Sequence, residues 1–428
     1  MKVLWFSNTP ATGIEAMYGP NPLRATGGWL YALNKGIENK LELHVAFQHP
    51  YKLARFRHGN TSFHPVYTGN ILVQRLRERL GLYRPRRFLR ESYLRVVKDV
   101  QPDLIHIHGT ESPYLMILGA TDIPTVISIQ GNLTVCSHKY CAGFHGRHLH
   151  VPASHNGALL RSFLLGRKTY RRGMDKLRQT AEVERTYLQK AQHIIGRTDW
   201  DRRITSMLAP KSRYFLGQEL LRGGFYDAEW SQKGAPSEAP NIIFTTTGDG
   251  YFKGFETLCH SLSILRGAGL NVEWRVAGVS ENSLINQITR RELGTAYPQE
   301  GLVLLGALDE HELIKHMLGA NLYVMPSHIE NSPNSLCEAM LLGMPCIATD
   351  AGGTGSILTN NQDGILLQDG DPWAMAGAVQ ELLADRDRSM RYGAAARERA
   401  IIRHNRETVV SSLMRIYETI LTGSKEVA

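Results

Sequence analysis

The chain has 428 residues, with 49 Lys and Arg against 40 Asp and Glu, a formal charge of +9, and 43% hydrophobic residues. That composition excludes a disordered or fibrous chain and supplies enough apolar surface for two sizeable cores. No run of about 18 apolar residues reads as a membrane span, and Cys136, Cys141, Cys259, Cys337 and Cys346 are too scattered for a disulfide framework, which suits a reducing cytosol.

The opening MKVLWFSNTP is too short for a signal peptide, and VLWFSN (3–8) reads as a buried strand. Gly27 and Gly28 follow, ahead of a helical WLYALNKGI; glycines there let backbone approach a ligand closely or simply start the helix. LHVAFQ (43–48), DLIHIHG (103–109), TVISIQG (125–131) and HIIGRT (193–198) are further strands, with a charged helix near 176–191. His108 and Gln130–Gly131 end two of these strands, where open α/β sheets place ligands. His106 alternates with His108 and is assigned to packing. In GRTDWDRR, Arg197 and Asp201 either line a binding cleft or form a structural salt bridge.

The Pro/Gly/Ser-rich stretch SQKGAPSEAP (231–240) is the linker candidate. Beyond it, short β-branched runs alternate with helical patterns, the signature of a doubly wound parallel sheet. The strands are 241–248, 272–278, 302–306, 321–327 and 345–350; the helices are 255–269, 309–320, 333–343 and 373–385. A last helix near 404–422 crosses back to the first domain. The expected architecture is therefore two Rossmann-like domains, 1–232 with 404–428 packed back and 239–403, facing across a cleft.

The segment PSHIENSPNSLCEAM (326–340) concentrates the chemistry. Ser332 is placed to cap the next helix with Pro333 at its first position, leaving backbone amides and a positive dipole end for a diphosphate. Glu330 and Glu338 flank that helix start at E-x7-E spacing. Carboxylates repel phosphate, so the pair suits hydroxyls on either side of it.

This block resembles the donor signature of family 4 retaining glycosyltransferases of the GT-B fold: Pro326-Ser327, Glu330, Glu338-Ala339-Met340, Gly343 and the turn Gly352-Gly353. The likeness runs outward over about 241–400 and, more loosely, 1–230. It implies that Glu330 contacts the donor sugar with the amides of Asn331 and Ser332 near it. Asn334 and Ser335 would lie at the diphosphate, and Glu338 would bind the ribose. Lys253 of GDGYFKGFETL would neutralise the leaving diphosphate without a metal or other cofactor. The family's arginine before that lysine is replaced around Thr247 and Asp249, which leaves Arg275 or Arg197 as stand-ins. Its later Glu falls at Ser356, and its histidine falls at Gln130.

The resemblance implies hexose transfer from a nucleoside diphosphate sugar to a glycan or lipid-linked acceptor in surface polysaccharide biosynthesis. A sugar-nucleotide 2-epimerase and a non-catalytic sugar-nucleotide-binding subunit are the alternatives. Gly27, Gly28, His108, Gln130 and Arg197 would belong to the acceptor side. Residues 136–150, with Cys136, His138, Cys141, His145, His148 and His150, match no standard zinc spacing and read as an acceptor-facing loop rather than a metal site. Residues 51–100 hold 12 Lys and Arg against 3 Asp and Glu. Within them RLRERLGLYRPRRFLRESYLRVV (75–97) is either a packed surface helix or a segment lying on anionic lipid. A second basic run follows between Arg161 and Arg178. No nucleic-acid-binding pattern accompanies the charge. The expected location is the cytoplasm, peripheral on the inner membrane face.

Overall fold

The computed structural model describes residues 1–19, 28–70, 72, 73, 76, 80, 87–144, 170–231 and 239–423. The chain divides into two compact units. The first comprises Met1–Ser137, Ala153–Leu220 and His404–Ala428, and the second His138–Pro152 and Leu221–Arg403. Both are α/β units built on parallel sheets, as the GT-B fold has them. Gly27, the linker residues 232–238, and His145, His148 and His150 lie outside the described residues.

The first unit contains β1 (Lys2–Ser7), β2 (Glu42–His49), β3 (Phe56–His58), β4 (Thr61–Tyr67), β5 (Leu104–His108), β6 (Thr125–Ser128), β7 (His193–Gly196) and β8 (Arg213–Leu216). They lie in the order β3-β4-β2-β1-β5-β6-β7-β8. Every pairing is parallel except β3 with β4. Val3, Leu4, Trp5 and Phe6 are all fully buried, because helices cover both faces of a parallel sheet and its strands become continuous apolar runs.

The helix Arg406–Thr422 belongs to this unit. Asn405 caps it by accepting from the Thr408 amide at 3.0 Å, and Val409, Leu413, Ile416, Tyr417 and Ile420 recur at helical spacing on its buried face. The Tyr417 hydroxyl receives the Trp5 indole N–H at 3.0 Å and meets His106 Nδ1 at 2.6 Å.

The second unit contains β9 (Asn241–Thr246), β10 (Val272–Ala277), β11 (Leu302–Gly306), β12 (Leu322–Met325), β13 (Cys346–Thr349) and β14 (Ile365–Leu367). The sheet order is β11-β10-β9-β12-β13-β14, all parallel. Counted within the unit this is 3-2-1-4-5-6, with strand order reversing between β9 and β12. At such a reversal the loops leave on opposite sides and open a crevice at the strand carboxyl ends.

Two stretches fall differently from the expected boundaries. Residues 221–231 join the second unit because Leu221, Phe225 and Trp230 enter its core and the Trp230 indole donates to the Ala320 carbonyl at 2.7 Å. Residues 138–144 join it through Tyr140 and Phe144, whose rings lie 5.4 and 5.9 Å from Tyr251. After β7 comes the helix Asp199–Leu208, capped by Thr198. Among the described residues no helix is long and apolar enough to cross a membrane.

Candidate functional site

The crevice of the second sheet is built by the loops that follow β9, β12 and β13. Lys253 lies in the first of these, where Gly254 turns the chain at φ +72°. A Cβ at Gly254 would collide with the Pro326 carbonyl oxygen, so glycine after Lys253 is what lets the two loops touch. The His328 amide donates to the Phe252 carbonyl at 2.8 Å. The third loop closes the same way. Gly352, at φ +64°, has no room for a Cβ against the Glu330 carbonyl, and the Gly353 amide donates to that oxygen at 2.9 Å. Both glycine motifs thus hold the backbone around Glu330.

That packing brings Lys253 and Glu330 together, Nζ to Oε1 at 2.6 Å, although 77 residues separate them. Ser327 Oγ donates to the same carboxylate oxygen at 2.9 Å. The Lys253 and Glu330 side chains keep 31% and 14% exposure, so the pair stands at the crevice surface.

The helix Asn334–Leu342 begins beside this pair, with Pro333 rather than Ser332 at its cap position and no side-chain cap. Proline removes an amide that would be unpaired there anyway, and the amides of Asn334 and Ser335 stay available, while that of Leu336 donates to the Pro333 carbonyl at 3.0 Å. Asn331 and Ser332 are buried at the approach, and Asn334 Oδ1 is buried without a hydrogen-bond partner among the described residues. Ser335 follows in the first turn.

Glu338 is 4% exposed, and its two oxygens accept from Arg222 Nε and Nη2 at 2.7 and 2.6 Å. Burial raises its carboxyl above the ordinary range, and the Arg222 bonds oppose that shift. Arg222 fell in the first domain, 1–232, as drawn from sequence, and no local pattern marks it as a partner of Glu338. The stand-in cations are engaged elsewhere: Arg275 bonds Glu273 at 2.6 Å, while Arg197 lies in the first unit, 3.5 Å from Glu219 and over the Trp29 ring.

Sequence reasoning also missed a buried cluster around His328, one residue beyond Ser327. His328 Nε2 meets Glu256 Oε1 at 2.6 Å and Nδ1 meets Asp369 Oδ2 at 3.3 Å. Lys139 reaches the same Asp369 oxygen at 3.3 Å. Burial alone would lower the His328 pKa, but the two carboxylates bring it above its ordinary value.

In the first unit the reversal lies between β1 and β5. Gly28 starts the helix Gly28–Ile37 after β1, and Gln130 follows β6, half-buried beside Gly109. His108 turns inward and is 1% exposed. It lines a cavity of 30 Å³ with Trp29, Arg197, Gln218 and Glu219, room for a water or two. Asp201 is fully buried and accepts from the Arg197 amide at 2.8 Å and the Tyr214 hydroxyl at 2.5 Å. It therefore shapes the helix start rather than facing a ligand. Cys136 and Cys141 form no disulfide among the described residues.

Residues 227–399 match the family model described as glycosyl transferases group 1. Glycogen synthase of Mycobacterium tuberculosis is 24% identical over 344 residues, covering 79% of this chain and 74% of that protein. Among solved structures, sucrose-phosphate synthase from Thermosynechococcus elongatus superposes with a TM-score of 0.70 at 17% identity, covering 99% of each chain. Anabaena HepE, solved in complex with UDP and glucose, superposes with a TM-score of 0.64 at 13% identity over 98% of this chain and 100% of that one. Residues 227–399 are a group 1 glycosyltransferase domain, and the chain is a glycosyltransferase.

Proposed function

We propose that this glycosyltransferase moves a hexose from a nucleoside diphosphate sugar to a hydroxyl of a glycan or lipid-linked acceptor, with retention, in building surface polysaccharide. The observation that carries the reading is the Lys253–Glu330 pair at the reversal crevice, beside a helix start with free amides. Binding of UDP and glucose by Anabaena HepE supports a nucleotide-sugar donor. On this reading the donor diphosphate draws Lys253 off Glu330. The lysine and the helix dipole then offset the phosphate charge without a metal, and Glu330 turns to the sugar hydroxyls.

The sugar C1–phosphate oxygen bond breaks on the face where the acceptor oxygen attacks. The acceptor's proton passes to the departing phosphate oxygen, so Gln130 needs no basic function. Asn334 and Ser335 receive the diphosphate. Glu338 keeps a ribose contact only with Arg222 bound beside it, since a carboxylate has about four lone-pair sites and Arg222 uses two.

A thermal-shift series with UDP, GDP, ADP and their sugars tests the donor class, because a ligand at 100 times its Kd adds about 2.7 kcal/mol to stability. With the donor that stabilises most, Glu330→Ala is expected to abolish transfer and Glu338→Ala mainly to weaken nucleotide binding. Undiminished turnover by Glu330→Ala overturns the assignment.

The acceptor side of the reading extends to an anionic lipid surface. Leu72, Val73, Leu76 and Leu80 are exposed at 71, 51, 55 and 65%, in a part of the sequence that interleaves apolar residues with the arginines of 75–97. Apolar side chains set among cations suit the headgroup boundary. Sedimentation with phosphatidylserine vesicles but not with neutral ones is expected, and equal recovery with both overturns this part.

A further inference from the structure

His328 has no counterpart among the residues assigned above, yet it is 2% exposed and flanked on both sides by carboxylate oxygens. An ionised carboxylate only accepts hydrogen bonds, whereas a neutral imidazole has a single N–H and turns a lone pair towards one neighbour. Only the doubly protonated ring donates to both Glu256 and Asp369. Glu256 strengthens the demand for a cation. It is 4% exposed, its Oε1 also receives the Thr257 hydroxyl at 2.8 Å, and its Oε2 is buried with no partner among the described residues. A buried carboxylate so placed needs an opposite charge in contact.

The cluster joins four pieces of the second unit. Glu256 is on the helix Phe255–Gly267, Asp369 follows β14, Lys139 ends the helix Leu133–Lys139, and His328 is in the loop bearing Glu330. Gly143, at φ +86°, lies over the Glu256–His328 contact. A Cβ there would clash with Glu256 Oε1 and sit 2.6 Å from His328 Nε2. The segment 138–144 is therefore a cover fitted to this ion pair. Lys253 and Glu330, two positions along the loop, satisfy each other, which leaves Glu256 and Asp369 as the anions facing the ring and Lys139 as the cation behind Asp369.

We infer that His328 is a positioning residue that works as an imidazolium, clamping the 326–332 loop to Glu256, Asp369 and the 138–144 cover, so that losing its proton loosens the donor loop. This rests on the donor reading of that loop. The sign follows from the geometry. The clamp is complete below the ordinary imidazole value of about 6.5 and fails as pH rises through the higher value of the folded protein. With one proton linked, the ratio of closed to open loop falls by up to about tenfold per pH unit between those two values and levels off above the higher one.

The test begins without any donor. Imidazole NMR of the full chain between pH 5 and 9 is expected to show His328 titrating above 6.5, and Glu256→Gln to lower the midpoint. Amide exchange at 327–331, corrected for its intrinsic pH dependence, should rise by up to about tenfold per pH unit between 6.5 and the midpoint in the wild type and level off above it. It should be raised and flat with pH in His328→Gln. A midpoint at or below 6.5, or wild-type exchange indifferent to the titration, overturns the inference. UDP-glucose is then the probe for catalysis: KM should rise along the same limb with kcat little changed, and His328→Gln should lack the limb. A KM independent of pH in an enzyme that turns UDP-glucose over also overturns it. Absence of UDP-glucose turnover, with the NMR and exchange results in place, counts against that donor and not against the clamp.

Discussion

The two sheets reverse strand order at comparable places and equip those places differently. At the β9–β12 reversal, Lys253 meets Glu330, Arg222 meets Glu338, and His328 meets Glu256 and Asp369. At the β1–β5 reversal, both ring nitrogens of His108 are buried without a hydrogen-bond partner among the described residues. Glu111 nearby is exposed to solvent, yet its carboxyl is raised by surrounding protein and then by the neighbouring Glu184 charge. The second crevice is held in shape by its own ion pairs. The first has a pair of its own, Arg197 with Glu219, yet keeps the His108 ring without a partner among the described residues, an arrangement suited to water or a bound hydroxyl.

That contrast can be broken most severely at Arg222. Its removal leaves Glu338 buried without a counter-charge, and single-partner deletions of buried pairs cost about 3–5 kcal/mol. Arg222→Ala is expected near the lower end, about 3 kcal/mol, because the Arg222 side chain is 24% exposed and water can enter behind it. Arg222→Met with Glu338→Leu should recover most of the loss, since an apolar pair of similar volume avoids desolvation altogether. Urea unfolding at pH 7 reads both. A single substitution costing under about 1 kcal/mol would show that this pair does not hold the crevice.

How much of this was legible in sequence follows the same division. Parallel strands such as NIIFTT and VEWRVA are buried on both faces and announce themselves as apolar runs. β3 and β4 did not, because FRH is short and TSFHPVY contains His64 and Pro65. Nor did the helix Arg386–Arg403, whose buried face is mostly Ala, Gly and Ser with Tyr392, so no apolar stripe marks it. At the site, Glu330 and Lys253 were picked out by the motifs they share with a known family, Glu330 also by its E-x7-E spacing, and the structure places the two in contact. Arg222 and Glu256 were not, since their partners lie 116 and 72 positions away. Ion pairs formed by tertiary packing leave no spacing to read. His108 was found at a strand end, but which face its ring takes depends on helices from both ends of the chain.

The smallest expected effect is at His108, and it sharpens the contrast from the other side. Burial holds the His108 pKa well below 6.5, with the His106 ring and Arg197 adding to the shift, and burial likewise takes His106 down to about 3. Both stay neutral in the folded protein while the unfolded chain protonates them below about 6.5. Stability is therefore full above that value and declines as pH falls, by up to about 1.4 kcal/mol per pH unit for each ring. His64, lowered to about 4, adds to the same decline. His108→Leu removes one proton from the linkage and also removes an unanswered polar ring, for which an apolar side chain of similar size is neutral or better. The variant should match the wild type within about 1 kcal/mol at pH 7 and lose stability less steeply between pH 6.5 and 5. Urea midpoints at three pH values decide it. An unchanged acid slope would mean that His108 takes up a proton in the folded state, and the two crevices would then differ less than their contacts suggest.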